Sequence, residues 1–121
     1  MEQTASAALV ARARARGAYP HVAEIGTSPD KLSTMDAIAG ALSFPNWSGR
    51  NLDALYDCLT DLSWLPAGEH VLVWVGSDAL KKSDPKVYLA IHSVLSDAVR
   101  ALSSGGERAD HRRLTVVLSE G

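Results

Sequence analysis

The chain has 121 residues, 46% apolar and 21% charged, the length and balance of one globular domain that folds without disulfides or metal. Its formal net charge of −2 argues against a dedicated nucleic-acid binder, which would carry a basic surplus. The charge is unevenly placed. Residues 1–17 carry Arg12, Arg14 and Arg16 against Glu2, whereas residues 18–104 carry six cations and ten anions. The lone Cys58 excludes an internal disulfide, and its place beside Asp57 suits a small buried filler better than a nucleophile. No apolar run reaches the ~18–20 residues of a transmembrane helix. The start of the chain lacks the pattern of a secretory signal, so a cytoplasmic protein is expected.

Residues 1–17 are Ala-rich, with arginines at every second position, a spacing that matches no helical face. They are expected to be a basic arm, poorly ordered or loosely helical, ahead of a domain over 18–121. Ala18–Ile25 alternates weakly before Gly26 and reads as a first strand. Ser28-Pro29-Asp30 opens a helix near 30–42, with Ser28 as cap and Pro29 in the first turn. Phe44 to Gly49 breaks it. Asn51 caps a second helix near 52–63, docked by Leu52, Leu55, Leu59 and Leu62. The continuous apolar run Val71–Val75 suits a strand covered on both faces. Ser83-Asp84-Pro85 opens a long helix near 85–103, which Ser103-Ser104-Gly105-Gly106 ends. Leu114–Leu118 is the last strand. The order β-α-α-β-α-β, with helix in each crossover, predicts an α/β fold: a small three-stranded parallel sheet packed with three to four helices.

At about 100° of rotation per residue, the four leucines of the second helix cluster near 320°, with Leu52 at zero. Asp53, Asp57 and Asp61 fall at about 100°, 140° and 180°, opposite the leucines. The helix should therefore dock by its leucines and present three carboxylates to water. Such i,i+4 like-charge pairs destabilise a helix by ~0.2–0.5 kcal/mol each. An ordinary solvated face would mix in lysines, yet the nearest cation is Arg50, just before the helix. The stripe reads either as a solvated acidic face or as an anionic strip that pairs with a basic partner or mimics a phosphate backbone. Trp47 in the preceding loop, and Tyr56 between stripe and core, have the makeup of an interface hot spot. Trp47 as a lid on the core is the other reading of that residue.

The run Phe44-Pro45-Asn46-Trp47-Ser48-Gly49-Arg50-Asn51-Leu52-Asp53-Ala54-Leu55-Tyr56-Asp57-Cys58-Leu59-Thr60 closely resembles the central segment of the barstar family of ribonuclease inhibitors. A buried strand with Trp74, a long helix and a final Leu-Thr-Val-Val-Leu-Ser strand extend the likeness in outline over residues 18–119. The resemblance implies a three-stranded parallel sheet with packed helices. It also implies that Asp57 replaces a substrate phosphate in a nuclease active site, and that Asp53 is a second acidic contact. By the same likeness Trp47 is an aromatic of the binding loop, Gly49 a close-approach glycine and Thr60 a peripheral contact. Asp97 matches, over a shorter stretch, an acid on the last helix that meets a nuclease arginine. Three positions depart from the family: Arg50 stands for an acid, Ser48 for a second aromatic and Asp61 for a glycine.

Trp47, Gly49, Asn51, Asp53, Tyr56, Asp57, Thr60, Asp61 and Asp97 thus form the candidate partner-binding set. His21, His70, His92 and His111 show no metal-ligand spacing and are expected at surface or edge positions. No catalytic residue, metal or cofactor is expected. The reading is a non-enzymatic inhibitor, an antitoxin or immunity protein, monomeric when free. Its partner would be a small secreted ribonuclease, barnase-like or of the related microbial guanyl type, with no nucleic acid or membrane bound. A barstar-like adaptor for a non-nuclease basic partner is the alternative. A weak nucleic-acid module built on Arg12, Arg14 and Arg16 is a third, which deletion of residues 1–17 would separate from inhibition.

Overall fold

The computed structural model describes residues 5–25, 29–45, 49–103 and 111–119. In chain order these form α1 (Ala5–Ala15), β1 (Tyr19–Glu24), α2 (Lys31–Ala41), α3 (Leu52–Asp61), β2 (Gly68–Val75), α4 (Ser77–Ser83), α5 (Pro85–Ser103) and β3 (Arg112–Ser119). The strands make one parallel sheet in the order β1-β2-β3, with Tyr19 opposite His70 and Gly68 opposite Arg112. This is the α/β architecture implied by the order of apolar segments.

Burial explains the composition of β2. Successive side chains of a strand point to opposite faces, and from His70 to Val75 every one is buried. Leu72 and Trp74 face the main core, where α2, α3, α4 and α5 contribute Ile38, Leu59, Leu80 and Ile91. Val71, Val73 and Val75 face the other way and are covered by Ala13, Leu9 and Val10 of α1. A strand buried on both sides has no place for alternating polar residues.

Five helices occur among the described residues, more than the three to four expected, because α1 and α4 carry no strong apolar stripe. The stretch expected as a loose arm holds α1. It docks through Leu9, Val10 and Ala13, small or medium side chains on one face, rather than through anything the arginine spacing signals. Arg16 follows the helix, and its guanidinium donates to Glu69 on β2 at 3.1 and 2.9 Å. Helix α4 is seven residues long with Leu80 as its buried hydrophobe, too short to show a period.

The cap of α2 is Asp30, not Ser28, which lies outside the described residues. The Asp30 carboxylate accepts the Ser33 N–H at 2.7 Å, and the Ser33 hydroxyl accepts the Asp30 N–H at 3.0 Å. This reciprocal pair satisfies two donors at once, which a lone serine cap could not do. Asn51 caps α3 as expected, accepting the Ala54 N–H at 2.8 Å. Leu62 then ends α3 in the left-handed region (φ 52°) and is itself fully buried. The placement of Gly26 after β1 and of Gly105-Gly106 after α5 lies outside the described residues. One expectation is corrected outright: His70 is fully buried, and its ring meets that of His21 rather than lying at the surface.

Candidate functional site

Helix α3 packs on α5, and Leu55, Cys58 and Leu59 make its buried face. That docking fixes the opposite side. Asp53, Asp57 and Asp61 are all exposed, as the helical wheel requires. Tyr56 sits at the boundary with 36% of its surface exposed.

The crossing of α3 with α5 makes a shallow groove of about 550 Å³ lined by Leu52, Asp53, Tyr56, Asp57, Val94 and Asp97. Four of the candidate residues are therefore neighbours, three of them carboxylates, around an apolar floor from Leu52 and Val94. The sequence did not single out Leu52 as floor or Val94 at all. Val94 lies one position from the inward Leu95 and three from Ile91, and that adjacency was the available signal. Asp97 pairs with Arg100 on its own helix. An exposed pair of this kind adds ~0–1 kcal/mol and leaves Asp97 able to exchange partners.

The cation closest in sequence to the stripe is turned away from it. Arg50 donates through its Nε to Asp36 Oδ1 at 3.0 Å and through a terminal nitrogen to Asp36 Oδ2 at 2.6 Å. This two-pronged geometry fixes a guanidinium more firmly than a single contact. Asp36 and Asp30, both at α2, favour the charged form of Arg50. The charge of Arg50 is therefore directed at α2 and not at the stripe.

The remaining candidates lie elsewhere. Gly49 and Asn51 border a different depression, of about 280 Å³, between α2 and the start of α3, with Met35, Asp36, Arg50 and Leu55. A Cβ on Gly49 would approach both Ala54 Cβ and Asn51 Nδ2 to 3.3 Å, so glycine there leaves room for the cap. Asn51 itself is committed to Ala54. Thr60 donates its hydroxyl back to the carbonyls of Tyr56 (2.9 Å) and Asp57 (3.2 Å). Asp61 accepts the Ser63 hydroxyl at 3.2 Å and does not line the groove. Trp47 lies outside the described residues, as do Asn46 and Ser48.

Just before the loop, Phe44 packs edge-on against Trp64, with ring centroids 5.8 Å apart. Trp64 Nε1 donates to the Leu42 carbonyl at 2.9 Å. The loop's near end is thus tied to the segment that follows α3. Among the described residues no group of three His, Cys, Asp or Glu side chains is placed to hold a metal ion, and no helix is long and apolar enough to cross a membrane.

Comparison with known proteins agrees with the fold. Residues 20–119 match the family model described as Barstar (barnase inhibitor). A search of curated proteins finds no match.

Proposed function

The chain belongs to the barstar family, and from that premise we propose that it inhibits a small cytotoxic ribonuclease as an immunity protein or antitoxin in the cytoplasm of the producing cell. The observation that carries this reading is the groove between α3 and α5: Asp53, Asp57 and Asp97 around Tyr56 and an apolar floor. A ribonuclease binds its substrate's phosphates with cations, so an anionic surface of this kind suits its active site. Asp57 takes the place of a phosphate, and Asp53 and Asp97 meet flanking cations. Tyr56, Leu52 and Val94 supply the dry contact around them. Fixed carboxylates on a helix also steer a basic partner toward the groove, an effect that salt weakens. Inhibition needs occlusion alone, with no chemistry from the chain itself.

Of the three arginines of the N-terminal stretch, Arg16 is engaged with Glu69, which leaves it less to offer a nucleic acid. The test is inhibition of RNA cleavage, with purified barnase as the probe. Asp57→Ala should raise the inhibition constant by at least about 30-fold, the scale of a hot-spot residue. Asp61→Ala should change it by less than about threefold, since a charge at the margin acts mainly through screened steering. Equal constants for the wild type and Asp57→Ala would overturn the phosphate-replacement mechanism.

A further inference from the structure

A second constellation of polar groups lies where β1 and β2 face the core. His21 Nε2 is 2.9 Å from His70 Nδ1. The two outer nitrogens face backbone oxygens: His21 Nδ1 is 3.1 Å from the Ala41 carbonyl, and His70 Nε2 is 2.7 Å from the Pro66 carbonyl. A carbonyl oxygen only accepts, so the full row needs protons on both outer nitrogens. The inner contact then needs a third. Two neutral imidazoles carry two ring protons and make at most two of the three contacts; with both on the outer nitrogens, bare lone pairs face each other across the inner one. One extra proton makes all three. A second would set N–H against N–H and two like charges side by side.

The ends of this row give it a role. Ala41 closes α2 and Pro66 follows α3. The two carbonyls therefore bracket residues 42–65, which carry every candidate binding residue except Asp97. Within the same bracket Trp64 Nε1 donates to the Leu42 carbonyl. The Tyr19 ring of β1 stacks on His70 with centroids 5.0 Å apart. A Cβ on Gly68 would come within 3.3 Å of the Tyr19 ring, so the stack is closely packed. From β3, Arg112 acts on His70 by its charge and donates through Nε to the Leu65 carbonyl at 2.8 Å. Among the described residues, α2 and the Pro66 turn offer the pair carbonyl oxygens. Burial is the first cause holding both histidines below their ordinary pKa. The charge of His70 adds to it at His21, and Arg112 adds to it at His70, while the carbonyl bonds act the other way.

We propose that His21 and His70 form a proton-operated clasp on residues 42–65, made complete by one shared proton and released by a second. The inhibitor reading enters only through its consequence, a partner surface that loosens in acid. The clasp itself belongs to the free chain and is tested there, so its failure and that of inhibition are separate results.

The experiment is NMR of the full chain without partner, following imidazole nitrogens and the solvent exchange of the Trp64 indole N–H as pH falls. The two histidines should titrate in two separated steps. Once the first step is complete, Trp64 exchange corrected for its intrinsic pH dependence should rise about tenfold per pH unit as the second proton is taken up, one proton per opening. The Val73 amide in the central strand should not follow. In His21→Asn, whose Nδ2 can still donate to Ala41 but which cannot take a proton, the rise should disappear. Independent titration of both histidines near the ordinary value would overturn the proposal. So would an equal rise in His21→Asn, or Val73 exchange keeping step with Trp64. If His21→Asn does not fold, the two-step titration and the Trp64–Val73 contrast decide the matter in the wild type.

Discussion

Replacing Glu69 by Gln removes one charge from the seam between α1 and the sheet while keeping the side chain's size. In the folded chain Glu69 accepts two bonds from Arg16 and one, at 2.6 Å, from the Thr115 hydroxyl. The Arg16 bonds first and the Thr115 bond second hold its pKa down from the ordinary 4.5 to about 2, with burial opposing. Taken at face value, that drop corresponds to at most about 3 kcal/mol of folding free energy at neutral pH. The value must be discounted, because the Arg16 side chain is 49% exposed and water screens the pair. A loss of about 1–2 kcal/mol is expected, since glutamine retains an acceptor for Thr115. The pKa is lower folded than unfolded, so this stabilisation is whole above pH 4.5 and disappears as pH falls through about 2. Urea unfolding of wild type and Glu69→Gln, followed by circular dichroism at a series of pH values, measures the gap directly. Comparing the two proteins at each pH cancels other titrations, the histidine pair included. A gap that stays constant from neutral pH down toward pH 2 would refute the reasoning, as would no gap at neutral pH.

Two further substitutions separate packing from capping along α3. Leu59→Ala empties a fully buried position under the helix and should lower unfolding free energy by about 2–5 kcal/mol in the same urea assay. Asn51→Ala removes the acceptor for the Ala54 N–H and should cost about 0.5–2 kcal/mol. Asn51→Asp should restore most of that, because a carboxylate caps equally well and suits the positive end of the helix.

The legibility of this chain followed the range of its interactions. Signals carried within one turn of chain were readable: Asn51 before a leucine-faced helix, Pro85 opening α5, and the unbroken Val71–Val75 run that a doubly covered strand requires. The cap of α2 was misplaced because Ser28 and Asp30 are both good cap residues, and only Ser33, three beyond Asp30, completes a reciprocal box. Helix α1 was hidden because its docking face is built from alanine and medium-sized side chains, while its arginines drew attention to a spacing that does not set its packing. The acidic stripe could be placed from the period of α3 alone. Its junction with Asp97 depends on how α3 crosses α5, which a single helix cannot encode; only the resemblance to a family suggested it. The His21–His70 contact joins residues 49 positions apart. It exists because β1 and β2 pair with Tyr19 opposite His70, a register that no local pattern reveals.

Helix α1 precedes the region that defines the family, yet it roofs one side of the sheet. The match to the family model begins at residue 20, whereas Ala13 is fully buried against Val71, Val73 and Val75. A chain trimmed to the matched portion would lay a valine-rich strand surface open to water and to other copies of itself. Removing residues 1–17 would therefore read out solubility before it read out any property of Arg12, Arg14 or Arg16. Those arginines are better questioned one at a time, with the roof left on. For this chain, the matched region and the buried core do not share a boundary.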